Sequence, residues 1–294
     1  MAPISALLNE GVESTEKAIH VFFVTDQKNL GVSLRNSGQK GKDTQDFYAA
    51  DKNTWEGIIL AKSEIGTARV DGVNLVVAMT RQKPSKPDAA DTMNDISIVS
   101  PVYQVLTSTA LKNTTATICS AGDRGWVYYL SGTESGKVDI KEYDLGTGNI
   151  STFGGLNVYV DCSLGAFYDP ISHHRCIIFQ EMSQGHLKEY NVDTKQTIDI
   201  SDTSGAKPNT SLCVTYHKDA AYLYYTDSFF NIYRVIKRQN NWGAHKQMFN
   251  DKPDEFSQMT AVTANGVNHI FFQVAGNANI THLRDDEPST GPAA

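Results

Sequence analysis

Short runs of alternating apolar and polar residues dominate this chain, and the periodicity of an amphipathic helix is nearly absent. The runs are rich in β-branched and aromatic residues, and stretches of Gly, Asn, Asp and Ser separate them. This pattern is typical of β-strands joined by tight turns. It predicts an all-β fold.

One unit recurs six times along the chain. Each unit has a strand of small residues, then a strand rich in aromatic residues, then an alternating strand. The small-residue strands are predicted at 4–9, 66–71, 115–123, 163–169, 211–217 and 258–266. The aromatic-rich strands are predicted at Ile19–Val24, Val73–Ala78, Gly125–Leu130, Arg175–Gln180, Ala221–Thr226 and Val267–Gln273. The third strands are predicted at 30–34, 96–100, 138–144, 186–192, 231–237 and 279–285. A fourth, outer strand is expected after most of them, for instance near Phe47–Ala49 and Gln247–Phe249.

A repeat of about 50 residues with four strands indicates the blades of a β-propeller. A single blade cannot bury both faces of its sheet, whereas six blades around an axis can. We therefore predict one six-bladed β-propeller over residues 1–284, a long surface loop at Arg81–Asn94 that could act as a lid, and a disordered tail at 285–294. The alternative is a β-sandwich whose strand spacing is coincidental.

Charge and composition exclude several classes of function. The net charge is −7, from 26 basic and 33 acidic residues, and no basic stripe suited to nucleic acid appears. No apolar stretch approaches the roughly 20 residues that span a membrane. The N-terminus lacks the features of a secretory signal, so we expect a cytoplasmic protein. The four cysteines are expected to be buried free thiols: Cys119, Cys162, Cys176 and Cys213.

The sequence lacks the usual motifs of enzymatic chemistry. It has no GxSxG elbow, no HExxH and no GxGxxG after a strand, and its eight histidines are not spaced as metal ligands. We therefore expect neither a metal nor a cofactor. The remaining options are binding, or catalysis by positioning alone.

The first unit, residues 4–36, resembles a blade of the Aleuria-type fungal fucose-binding lectins. The resemblance covers the whole chain at the level of blade layout. It implies a six-bladed propeller in which sugar is held between blades. In those lectins an arginine on the second strand and a glutamate on the third grip the fucose hydroxyls, and an aromatic ring stacks on the sugar.

The residues of that grip are mostly replaced here. The arginine position falls on His20, Asn74, Trp126, Cys176, Tyr222 and His269. The glutamate position falls on Val32, Ile98, Glu142, Glu189, Arg234 and His282. At best one altered copy of the grip survives, with Arg175 and Glu189. The lectin scaffold is therefore expected to be kept while its sugar sites are lost.

Such reuse of the scaffold resembles the fungal hetero-Diels-Alderases of tropolone–sesquiterpenoid biosynthesis. That resemblance implies a cofactor-independent cycloaddition catalyst of secondary metabolism, with an apolar polyketide- or terpenoid-type substrate. The expected catalytic donors are Tyr222, His269, Arg234 and His282. The expected substrate-binding residues are Trp126, His20, Asn74 and Tyr216, with Tyr216 at the mouth of the central channel. The alternative for these residues is ordinary packing and charge pairing between blades.

Two other functions stay open. The chain could be a fucose- or carbohydrate-binding lectin with degenerate sites, which predicts equivalent clefts that bear Arg and Glu. It could also be an interaction propeller, which predicts a broad exposed apolar patch. A homodimer is an option in each case.

Overall fold

Six antiparallel sheets make up the fold, and the predicted six-bladed β-propeller is confirmed. The computed structural model describes residues 3–38, 47–49, 57–82, 93–110, 112–132, 137–277 and 279–290. Within each blade the strands follow one another in chain order from the axis outward. This order allows consecutive strands to be joined directly as hairpins, without crossovers.

The first three blades share this four-stranded plan. Blade one contains β1 (Ile4–Leu8), β2 (Ile19–Val24), β3 (Leu30–Arg35) and β4 (Phe47–Ala49). Blade two contains β5 (Ile65–Val70), β6 (Val73–Arg81), β7 (Met93–Ser100) and β8 (Gln104–Ala110). Blade three contains β9 (Ala116–Ala121), β10 (Arg124–Gly132), β11 (Val138–Asp144) and β12 (Ile150–Phe153).

Blade four repeats this four-stranded plan, whereas blades five and six differ in strand number. Blade four contains β13 (Gly165–Asp169), β14 (His174–Gln180), β15 (Leu187–Asn191) and β16 (Gln196–Asp199). Blade five contains β17 (Cys213–His217), β18 (Ala220–Thr226), β19 (Ile232–Arg238), β20 (Asn241–Trp242) and β21 (Lys246–Phe249). Among the described residues, blade six has three strands, β22 (Thr260–Ala264), β23 (Val267–Gln273) and β24 (Ile280–Asp285), and the short helix α1 (Glu287–Thr290) follows.

The six inner strands form a closed ring around the axis. Each inner strand contacts the next one, and β22 of the last blade contacts β1 of the first. Small residues permit this approach. A Cβ on Gly66 of blade two would lie 3.0 Å from the Cα of Thr117 in blade three. The small-residue strands of the sequence are therefore the axial strands.

The apolar core lies between the blades. Successive residues of a strand point to opposite faces, so each second strand contacts both neighbouring blades. In β2, Phe22 packs with Val76 of blade two, whereas Val21 packs with Ile270 of blade six. Aromatic residues on the second strands fill these interfaces, and Tyr128 and Phe271 are fully buried.

The described residues include the predicted end of the propeller and both flanks of the predicted loop at Arg81–Asn94. The chain does not leave the propeller at residue 284, because Asp285 belongs to β24 and is buried, and residues 287–290 are helical. Residues 291–294 lie outside the described residues, as do residues 83–92 of the predicted loop. The flanks of that loop are strand, since Arg81 ends β6 and Asn94 belongs to β7.

The four cysteines are free and buried, as the sequence predicts. No helix among the described residues is long and apolar enough to cross a membrane.

Candidate functional site

Six clefts lie between neighbouring blades, at the end of the ring where each first strand turns into the second. We number each cleft by the blade that precedes it, so the first cleft lies between blades one and two and the sixth between blades six and one. The residues at the arginine position occupy these clefts in five blades. They contact the following blade, as the burial of Trp126 in the cluster shared by blades three and four shows.

Blade two departs from this rule, and the sequence placed Asn74 on the wrong face. Val76 and Ala78, which share the face of Asn74, pack against blade one, whereas Leu75 packs against blade three. Leu75 pairs with Ala68 as His20 pairs with Leu7, so Leu75 holds the arginine position. A shift of one residue reverses every face of a strand, which explains the error. Asn74 and His20 therefore face each other across the first cleft.

The third cleft is filled by charged and aromatic side chains. Nη1 of Arg175 in blade four donates to both carboxylate oxygens of Glu142 in blade three, at 2.7 Å each, and Nη2 donates to Asp193 at 2.6 Å. The guanidinium lies 5.1 Å from the ring centroid of Trp126, whose Nε1 donates to Asp144 at 3.1 Å. Burial raises the pKa of Glu142, and the Tyr128 hydroxyl and Arg175 partly offset it. Arg175 thus pairs with Glu142 and not with Glu189, contrary to the sequence expectation.

The fourth cleft is closed by a second ion pair. Lys237 Nζ donates to Glu189 at 2.5 Å, and Trp242 Nε1 donates to the other oxygen of this buried carboxylate at 2.9 Å. The Tyr216 hydroxyl donates to Asp169 at 3.0 Å. Tyr216 therefore lies between blades four and five, and the sequence placed it wrongly at the mouth of the channel.

The fifth cleft contains two of the expected catalytic residues, and both are buried. Arg234 is 4% exposed. Its Nη1 donates to both oxygens of Asp285 at 2.7 Å, and its Nη2 lies 3.3 Å from Glu287. Tyr224 donates to Asp285 as well, at 2.6 Å. Because Tyr222 is only 3% exposed, neither Tyr222 nor Arg234 is accessible to a ligand here.

The sixth cleft contains the other two expected catalytic residues. Nδ1 of His269 lies 2.8 Å from Nε2 of His282, and the His282 ring stacks on Phe271 at 4.3 Å between centroids. His269 is fully buried. The structure thus brings these two histidines together, but separates them from Tyr222 and Arg234 by a blade.

The first cleft is open and contains a cavity of about 430 Å³. Its lining includes the side chains of Asn9, Glu10, His20, Phe22, Arg69, Val73, Asn74 and Pro101. An ion pair at the rim joins Arg69 to Glu10 at 2.8 Å, and both side chains are partly exposed. The His20 ring meets Phe22 edge to face at 5.9 Å. Burial lowers the pKa of His20 below its ordinary 6.5, so the imidazole is neutral at physiological pH.

Further cavities lie elsewhere in the ring. At the opposite end, a cavity of about 600 Å³ lies between blades six and one and is lined by Phe23, Val24 and Ile280 together with Lys28 and Gln273. The axial channel has a volume of only about 100 Å³. Drug-sized ligands occupy cavities of about 300–1,000 Å³, so the channel is too small for a terpenoid.

No group of three or more His, Cys, Asp or Glu side chains that could hold a metal ion occurs in the part of the chain that the structure describes. The residues expected to form one site are instead distributed over the first, third, fourth, fifth and sixth clefts. Arg69, Glu10, Lys237 and Asp285 were not predicted as site residues, because only the contacts between blades identify them. The only sequence signal for these four residues is weak: each is a charged residue at or near the end of a predicted strand.

The chain is similar to solved structures of lectins. A fungal lectin described as having a six-bladed β-propeller fold and a novel fucose recognition mode, that of Aleuria aurantia, matches with a TM-score of 0.68 and 14% identity over 96% of this chain and 91% of the lectin. The fold is the one that these lectins share. The SapL1 lectin in complex with α-methyl fucoside matches with a TM-score of 0.63 and 13% identity, over 97% of this chain and 92% of that one. The BP39L lectin of Burkholderia pseudomallei matches with a TM-score of 0.56 and 13% identity, over 95% and 83% of the two chains.

Comparisons by sequence add no relative. No family model matches the chain, and no curated protein matches it.

Proposed function

We propose that this protein binds a small, uncharged carbohydrate in the first cleft. The observation that carries the proposal is the contrast between clefts. The third, fourth and fifth clefts are filled by buried ion pairs of the protein itself, whereas the first cleft holds an open cavity of about 430 Å³. The similarity to fucose-binding lectins in fold supports a ligand of this class, although fold alone does not carry function.

The lining of the first cleft suits a neutral polyhydroxy ligand. His20 is neutral, Asn74 carries an amide, and the charges of Arg69 and Glu10 compensate each other. Phe22 and Pro101 supply apolar surface for the C–H face of a sugar ring. A charged sugar would lose hydration without meeting a net opposite charge.

Calorimetric titration with monosaccharides, L-fucose included, tests the proposal. We expect one sugar to bind, and we expect His20→Ala and Asn74→Ala each to raise its Kd about tenfold, the equivalent of roughly 1.4 kcal/mol. The matched control is Asn149→Ala, because Asn149 is exposed on blade three, far from the first cleft. Binding that survives both cleft substitutions unchanged, or no binding across the panel, would contradict the proposal.

Cofactor-independent cycloaddition is the second candidate function. The cavity of about 600 Å³ between blades six and one favours it, because Ile4, Phe23, Val24 and Ile280 give apolar walls and Lys28 and Gln273 give donors. The test incubates the protein with a tropolonic diene and a sesquiterpene alkene. We expect product above the uncatalysed rate and in one enantiomeric form, with loss of both in Ile280→Lys and retention in the exposed control Ile198→Lys. Racemic product at the background rate would exclude this function for these reactants.

A cytoplasmic location and a homodimer stay predictions from the sequence. Sedimentation of the purified protein measures the second.

A further inference from the structure

A ring of hydrogen bonds surrounds the axis at the end where the inner strands begin, which is the end opposite the first cleft. We call this ring the axial belt. Its bonds join successive blades through residues that precede or begin the inner strands. They are Glu64 N to Thr114 O at 2.9 Å, Thr115 Oγ1 to Cys162 O at 2.8 Å, Leu212 N to Ser163 Oγ at 3.1 Å and Met259 N to Ser211 Oγ at 2.8 Å.

Gln258 of blade six completes the belt and joins three blades at once. Its Oε1 accepts from the amide of Ile4 in blade one and from the amide of Ile65 in blade two, at 3.1 Å each. Its Nε2 donates to the carbonyl oxygen of Ile65 at 2.8 Å. Ile4 and Ile65 begin the inner strands of the two blades that form the first cleft, so one side chain fixes these strands relative to each other.

Glu64 is the ionisable member of the belt. Its side chain is buried, and it meets the hydroxyls of Ser163 and Thr115 and the backbone amide of Leu164. No ion pair among the described residues includes it. The titratable groups near it are the Cys162 thiol and, around the adjoining opening, Lys207, Asp254 and Glu255. Burial raises the pKa of Glu64 from 4.5 to about 7, and its three hydrogen bonds only partly offset the burial.

We propose that the axial belt is a pH-sensitive clasp in which Gln258 positions blades one and two and ionisation of Glu64 weakens the ring. Burial without a cationic partner favours the neutral form of a carboxyl. Ionisation of such a carboxyl therefore lowers the free energy of unfolding. Because Glu64 directly precedes Ile65, its ionisation acts on the residue that Gln258 holds. The expected effect on ligand affinity rests on the proposed function of the first cleft, whereas the expected effect on the stability of the ring does not.

Urea unfolding at pH 5.5 and pH 8.5 tests the pH sensitivity without any ligand. The folded-state pKa of about 7 lies above the ordinary 4.5, so the contribution of Glu64 to stability declines as pH rises through this window. We expect the folding equilibrium constant of the wild type to fall roughly thirtyfold relative to that of Glu64→Gln between the two pH values. Equal pH dependence in the two proteins overturns the proposal. The control Glu16→Gln, at an exposed carboxyl, should follow the wild type.

Hydrogen exchange tests the role of Gln258. In Gln258→Leu we expect the amides at the starts of β1 and β5 to exchange at least tenfold faster, while those of β16 keep their rates. The exposed control Gln196→Leu should leave both regions unchanged. Unchanged protection of β1 and β5 in Gln258→Leu overturns the proposal, and so does an equal loss of protection in all blades.

Binding of the sugar found for the first cleft separates the two proposals. Gln258→Leu lies outside that cleft, so weaker binding together with faster exchange at β1 and β5 supports positioning from the axis. If no sugar binds any variant, the carbohydrate function fails, and the exchange and unfolding results still decide the clasp. Faster exchange with unchanged sugar affinity removes the link between belt and cleft.

Discussion

Single charged residues decide which clefts are closed. Arg175, Lys237 and Arg234 each place a cation against a carboxylate of a neighbouring blade, at 2.5–2.7 Å. These cations are largely buried and paired with carboxylates of the protein. They are therefore not free to donate hydrogen bonds to a sugar hydroxyl. Arg175, Glu142 and Glu189, which the sequence placed at or beside the sugar-binding positions, therefore stabilise the interfaces between blades.

Substitution of Arg175 tests this role. Arg175→Met leaves Glu142 buried without its cation, and we expect a loss of about 3 kcal/mol in the free energy of unfolding. Burial already raises the pKa of Glu142, so the loss should grow as pH rises and the carboxyl ionises. Chemical denaturation at pH 6 and pH 8 measures both effects.

Arg124→Met is the matched control. Arg124 lies 4.7 Å from the ring centroid of the same Trp126, but its side chain is 65% exposed. We expect a change below about 0.5 kcal/mol, since exposed ion pairs contribute little. Equal losses in the two variants would mean that Arg175 acts through the aromatic ring and not through Glu142.

At the level of strands, the last strand ends at Asp285, as predicted, which is one residue beyond the predicted end of the propeller. Asp285 closes β24 and accepts hydrogen bonds from Arg234 and Tyr224 of blade five. The sequence also predicts Asp285 as the start of a disordered tail, because three acidic residues are followed there by Pro, Ser, Thr and Gly. Only its buried partners in another blade identify it as structural.

Truncation tests the importance of this strand end. A chain that stops after Arg284 loses both partners of Arg234, Asp285 and Glu287, and leaves the guanidinium buried and unpaired. We expect it to be about 3–5 kcal/mol less stable than the full chain in urea unfolding. A chain that stops after Thr290 keeps the pair and serves as control. Equal stability of the two truncated chains would refute a role for Asp285.

The sequence predicted the strands well because small, aromatic and alternating residues mark the inner, second and third strands. It predicted the candidate site poorly, and blade two shows why. The register of the hairpin between β5 and β6 pairs Leu75 with Ala68, which puts Leu75 in the place that Asn74 was expected to hold. Arg175 was assigned to Glu189 within its own blade, whereas it binds Glu142 of the preceding one. Contacts between blades depend on how the ring closes, and no local pattern encodes that.

For the whole molecule, the same blades take part in ring closure and form the proposed ligand site. The contact between β22 and β1 closes the ring, and Gln258 extends this closure to blade two. At the end where each first strand turns into the second, the other interfaces are packed or charge-paired among the described residues, while the interface between blades one and two keeps an open cavity beside His20. A repeat architecture tolerates such divergence because each blade contacts only its neighbours.

The number of ligands bound per chain follows from this asymmetry. If the first cleft is the carbohydrate site, calorimetric titration should give one sugar per chain, and the monomer should not agglutinate sugar-coated beads, because cross-linking needs at least two sites. His20→Ala should weaken that single binding event about tenfold and should not reveal a second one. A stoichiometry of two or more, or agglutination by a chain that sediments as a monomer, would mean that clefts closed by Glu142 or Glu189 open to ligand after all. The ion pairs of those clefts would then have to separate on binding, at a cost that their burial makes large.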